Sequence, residues 1–118
     1  MSRVYLLAAD QPLPLRAQER IHAAPLEYYR NAVDDLGYPM KPCRFELSLE
    51  KDACFLRDFR ACLEENFSHG DCVELWSVWV GDVNQKCPPR FQGRLADFDR
   101  ETFKQFLDAN EICLTITI

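Results

Sequence analysis

The stretch Asp71-Cys72-Val73-Glu74-Leu75-Trp76-Ser77-Val78-Trp79-Val80-Gly81 constrains this chain more than any other. It is the most apolar and β-prone run, and it holds both tryptophans. Gly70-Asp71 in front and Gly81-Asp82 behind bound a strand of about eight residues. Side chains alternate faces along a strand. Val73, Leu75, Ser77 and Trp79 then point one way, and Glu74, Trp76, Val78 and Val80 the other. A tryptophan on each face predicts a central strand covered on both sides.

The rest of the chain supplies neighbours for that strand. Ser2 to Ala9 reads as a first strand, stopped by the two prolines of Asp10-Gln11-Pro12-Leu13-Pro14. Arg16 to Ala24 has helical spacing and ends at Pro25. Glu27 to Leu36 carries the stripe Tyr29, Ala32, Val33, Leu36, with Gly37 placed as its cap. Arg44 to Glu50 alternates strictly, with Phe45, Leu47 and Leu49 on one side and Arg44, Glu46, Ser48 and Glu50 on the other. That pattern predicts a half-buried strand.

Lys51 to His69 is the longest helical stretch, closed by Gly70, and could carry a crossover to a parallel neighbour. Asp82 to Arg90 has no periodicity, and Phe91 to Leu95 reads as a short edge strand. Asp99 opens a last helix whose Phe103, Phe106 and Leu107 face the core. Ile112 to Ile118 closes the chain as a strand. Ile112, Leu114, Ile116 and Ile118 are expected inward, and Cys113, Thr115 and Thr117 outward.

Two of these strands have one polar face. The expected fold is therefore a single domain over residues 1–118, a two-layer α+β sandwich. It should have a mixed four- to five-stranded sheet with helices mainly on one face. A three-layer α/β fold is the alternative.

Composition narrows the function classes. Fourteen basic against 19 acidic residues give a net charge of −5. Nucleic acids and anionic membranes call for clustered Lys and Arg, so neither is an expected partner. No apolar run is long enough to span a bilayer. Val4 to Ala9 is too short for a secretory core, which makes the cytoplasm the expected location. Of the six cysteines, Cys54 and Cys62 fall inside a helical pattern and Cys72 and Cys113 in apolar strands, and there is no C-x-x-C pair. They read as reduced, small hydrophobes rather than disulfides or zinc ligands. The glycines are isolated, so no phosphate loop is present. No cofactor or metal is expected.

Candidate chemistry is sparse. Glu65 and His69 stand i, i+4 on one helical face and could share a metal. His69 and Cys72 could form a base and a thiol nucleophile. His22 is the other histidine, with no partner nearby in sequence. Asp34-Asp35 lies near a helix end, an unfavourable place for acids. Tyr28 and Tyr29, with Trp76, Val78 and Val80, form the best candidate binding surface, because Tyr and Trp are enriched at hot spots. If helices cover only one side of the sheet, Trp76, Val78 and Val80 need another cover. The proline-rich turn at Gln11 to Leu15, the Asp82 to Arg90 loop or a second copy could supply it.

Two functional readings follow. The first is a non-enzymatic protein–protein interaction module, of the immunity or antitoxin kind or self-associating as a homodimer. The second is a small enzyme or ligand-binding domain with a pocket beside the Val73 to Val80 strand, using Glu74, Trp76, His69 and Cys72.

Overall fold

The tryptophan strand sits third from one edge of a six-stranded mixed sheet. A computed structural model describes residues 2–49, 53–81 and 86–118. The strands are β1 (Ser2–Ala9), β2 (Ala23–Pro25), β3 (Cys43–Leu47), β4 (Cys72–Val80), β5 (Arg90–Arg94) and β6 (Ile112–Thr117). The helices are α1 (Leu15–Arg20), α2 (Arg30–Leu36), α3 (Ala53–Asn66) and α4 (Arg100–Asp108). The sheet order is β2-β3-β1-β4-β6-β5. Only β5 and β6 pair in parallel; the other neighbours are antiparallel.

The α+β class holds, with two corrections to the expected architecture. The sheet has six strands rather than four or five. The extra strand is β2, within a stretch expected to be helical. The helix stops at Arg20 because His22 takes φ +55, a left-handed conformation that turns the chain. Ala23–Pro25 then pairs with β3 at the sheet edge, where a proline is tolerated.

The second correction concerns layering, because both faces of the sheet are covered. On one face Leu7, Phe45, Val73, Leu75, Leu114 and Ile116 share a core with Ala17 of α1, Phe59 and Leu63 of α3, and Phe103 and Phe106 of α4. On the other, Val4, Leu6, Ala8, Trp76, Val78 and Val80 lie with Leu26 and Val33, while Tyr29, Leu36, Tyr38 and Met40 pack against them. The cover is α2 and the segment after it, not a second copy. Gly37 takes φ +68 and caps α2, which directs Tyr38 back onto the sheet. The two faces alternate along β4 as its sequence predicts.

Other differences are local. Strand β1 lies between β3 and β4 and is antiparallel to both, so α3 connects strands that are not neighbours. Cys113 was expected outward but is fully buried in the smaller cluster. Its neighbour in sequence, Leu114, joins the larger one. The expected strand end at Glu50, the helix start at Lys51 and part of the Asp82 to Arg90 loop lie outside the described residues. Asp99 caps α4 as expected, its side chain accepting a hydrogen bond from the Thr102 N–H at 2.9 Å.

Candidate functional site

Strand β4 brings one charged side chain into the smaller core. Glu74 is 6% exposed. Its Oε1 accepts from the Lys41 backbone N–H at 2.8 Å and from the Trp76 indole N–H at 3.2 Å. Its Oε2 accepts from Arg90 Nη2 at 3.4 Å. The Arg90 guanidinium stands 5.1 Å from the Trp76 ring centre and also donates to the Pro39 carbonyl at 2.5 Å. Tyr38 stacks on Trp76 with ring centres 6.0 Å apart. A buried carboxylate needs such partners to offset its desolvation. Glu74 therefore ties the 38–41 segment and the start of β5 to the central strand. Its two oxygens are already engaged as acceptors within the fold, which makes it a structural clamp.

Cys113 lies in the same region, opposite Arg90 in the β5–β6 register. Burial pushes its thiol up to about 12, against the pull of the Arg90 charge. Burial likewise raises the Cys62 thiol. Neither is poised as a nucleophile. All six cysteines are free. In the folded protein, Cys54 and Cys87 should react at once with an aromatic disulfide reagent, because both are exposed. Cys62 and Cys113 should react only after unfolding, and mass spectrometry of the labelled peptides separates the two classes. Rapid native labelling of Cys113 would contradict its burial.

The open site is elsewhere, between β5, β6 and α4. Arg3 of β1 donates to the carbonyls of Leu107 and Ala109. Trp79 Nε1 donates to the Asn110 carbonyl at 3.0 Å. Tyr5 meets Phe106 with ring centres 6.0 Å apart. These ties hold the end of α4 toward β1, three positions along the sheet from β5. The inner face of β5 is left partly uncovered.

The result is a cleft of about 590 Å³ with Phe98, Phe106, Leu114 and Ile116 among its lining residues. Asp97, Thr102 and Gln105 supply polar groups from the helical side, and Gln92 and Arg94 border it along the β5 edge. Phe91 borders it and is 53% exposed. Gly93, paired with Ile116, leaves open space where a side chain would stand.

The outer edge of β5 borders this cleft. Cys113 N–H donates to the Pro89 carbonyl at 3.0 Å. In a regular parallel ladder this turns the amide groups of Phe91 and Gly93 toward β6. Those of Arg90, Gln92 and Arg94 then face outward. Strand β5 ends the sheet order, so no described strand pairs with them.

The residues singled out in the sequence are not gathered at this cleft. Trp76, Val78 and Val80 are buried at 0%, 0% and 3% exposure, so no open patch exists on them. They belong to the core because α2 covers them. Tyr28 is 87% exposed, with its ring edge against Tyr29 at 4.8 Å, and Tyr29 packs on the smaller cluster. Glu65 forms an ion pair with Arg20 at 2.7 Å. His69 instead lines a cleft of about 530 Å³ with Glu64, Arg94 and Thr117. Cys72 lies 3.4 Å from the Thr117 hydroxyl. Among the described residues no hydrogen bond joins His69 to Cys72, and no group of three or more His, Cys, Asp or Glu could hold a metal. Asp34 is engaged by Arg44 at 2.7 Å, which relieves its position near the α2 end.

Sequence reasoning missed Phe91, Gly93, Phe98 and Phe106 as members of one site. The available signal was Phe91 and Gly93 alternating on an edge strand just before an aromatic-rich helix. No protein-family model, curated protein or solved structure matches this chain. Among the described residues no helix is long and apolar enough to cross a membrane.

Proposed function

We propose that the protein is a protein–protein interaction module that binds an extended segment of a partner along β5. The observation that carries this reading is the apolar cleft directly beside a strand edge that no described strand pairs with. In strand addition, main-chain hydrogen bonds to an edge supply affinity, and pockets for alternate side chains supply specificity. Arg90, Gln92 and Arg94 offer the hydrogen-bonding groups. The space beside Phe91 and over Gly93 accepts the partner's inward side chains.

A ligand-binding reading has one observation in its favour. A volume of about 590 Å³ suits a small apolar molecule as well as side chains. The two readings differ at the backbone. A small molecule in the cleft has no need of the outward amide of Gln92.

Gln92→Pro separates them. Proline on the open side of an edge strand removes one outward donor and leaves the β5–β6 ladder intact. Short synthetic peptides alternating leucine and serine are the probe, read by fluorescence anisotropy. Wild type should bind them, with slowed amide hydrogen exchange at Arg90, Gln92 and Arg94. The proline variant should keep its unfolding midpoint and lose binding by about tenfold or more. Unchanged peptide affinity in Gln92→Pro would overturn the strand-addition reading.

A further inference from the structure

We infer that the segment received by β5 alternates apolar and acidic residues. This rests on the strand-addition reading above and adds the chemistry of the partner. The two faces of β5 differ sharply. Phe91 and Gly93 look into the apolar cleft, opposite Leu114 and Ile116. Arg90, Gln92 and Arg94 look to the other face, opposite Cys113, Thr115 and Thr117. A strand added outside β5 continues both faces, since residues directly across share a face. Every second residue of the partner therefore meets the cleft. The residues between them stand beside Arg90 and Arg94.

The charge on that second face is basic, in a chain whose net charge is −5. Arg90 is held by Glu74 and the Pro39 carbonyl, yet its side chain is still 40% exposed. Arg94 is exposed and has no ion-pair partner among the described residues. A carboxylate at the cross-strand position complements Arg94, and a second one extends the Glu74–Arg90 pair. A lysine in either place meets a like charge.

The same charges disfavour a second copy of this chain as the occupant. Antiparallel self-pairing centred on Gln92 would seat Phe91 over Gly93 of the copy. It would also set Arg90 against Arg94 twice, with Glu74 to screen only Arg90. Like charges directly across a ladder are destabilising. Charged residues on an edge are a general device against such pairing.

The test compares three synthetic peptides of equal length, alternating leucine with glutamate, serine or lysine. Binding is read by anisotropy at low and high salt, with hydrogen exchange reporting on β5. The glutamate peptide should bind tightest and the lysine peptide weakest, by about tenfold or more across the series. High salt should compress the difference. Arg94→Glu, a change at an exposed position, should reverse the order.

Equal affinity of all three peptides, with β5 protected in each case, overturns the acidic preference and leaves the strand-addition reading standing. Absence of β5 protection with every peptide overturns both. A doubled solution mass with β5 protected and no peptide present overturns the inference in favour of a second copy.

Discussion

Glu74→Ala should destabilise the protein by about 3–5 kcal/mol, the largest loss expected from any polar substitution here. The magnitude follows from what remains behind. Removing the carboxylate leaves Arg90 beside the buried indole without its counter-charge. It also leaves the Trp76 indole N–H and the Lys41 backbone N–H without their acceptor. Unsatisfied buried donors cost about 1–3 kcal/mol each, and the Arg90 charge, 40% exposed, adds less because solvent screens it. Glu74→Gln keeps an acceptor for both N–H groups but replaces the oxygen facing Arg90 with an amide donor, so its cost should be about half as large. Urea unfolding followed by tryptophan fluorescence measures both variants. A loss under about 1 kcal/mol for Glu74→Ala would show that the clamp is dispensable. Because Arg90 opens β5, the alanine variant should also loosen the edge strand, visible as faster hydrogen exchange at Phe91 and Gly93, whose amides face β6.

Trp76→Ala should cost about 3–5 kcal/mol as well, while Trp79→Ala should cost about 1 kcal/mol. The two tryptophans are three residues apart on one strand and face opposite ways. Trp76 is fully buried at the centre of the smaller cluster, between β4 and the cover supplied by α2 and Tyr38. Its removal leaves a cavity that a sheet core cannot close. Trp79 is only partly buried, and its main tie is the hydrogen bond to Asn110. Equal losses in the two variants would contradict this division. The Trp76 and Glu74 effects should not add, since each residue is the other's hydrogen-bond partner. A double-mutant cycle should show coupling of about 1 kcal/mol or more.

Much of the fold was legible before the structure. Strands β1, β4 and β6 could be read from apolar runs and turn residues, because a strand's side-chain period is short and local. Helix α4 could be read from Asp99 and the spacing of Phe103 and Phe106. Helix α2 was expected from its stripe, and it begins at Arg30 rather than Glu27. Strand β2 was not legible. Three residues ending in proline form a strand only because β3 offers them a partner. Cys113 was misplaced for a similar reason. Alternation puts it opposite Leu114 correctly, but whether that face meets solvent depends on what lies over it.

The site was less legible than the fold. In the sequence, the candidate binding residues Trp76, Val78 and Val80 are apolar groups with no evident cover. Their cover, α2, comes from a segment some forty residues earlier in the chain. The polar candidates Glu65 and His69 do not share a helical face, because α3 stops at Asn66 and His69 lies in the turn beyond. Glu65 lies toward Arg20 and His69 toward Arg94. The cleft draws on a strand, a turn, a helix and a second strand, so its members have no common period in sequence.

By itself, the sequence determined the strands and helices other than β2, and which residues of β4 share a face. Those properties depend on backbone geometry within a few residues. Only the tertiary structure decided which faces are covered and which edge stays open. Covering is set by long-range pairing: β1 enters between β3 and β4, and Arg3 draws the end of α4 toward β1. The tryptophan strand, richest in apolar surface, is thereby sealed on both sides. Part of the exposed apolar surface lies instead at Phe91 on the short strand at the edge.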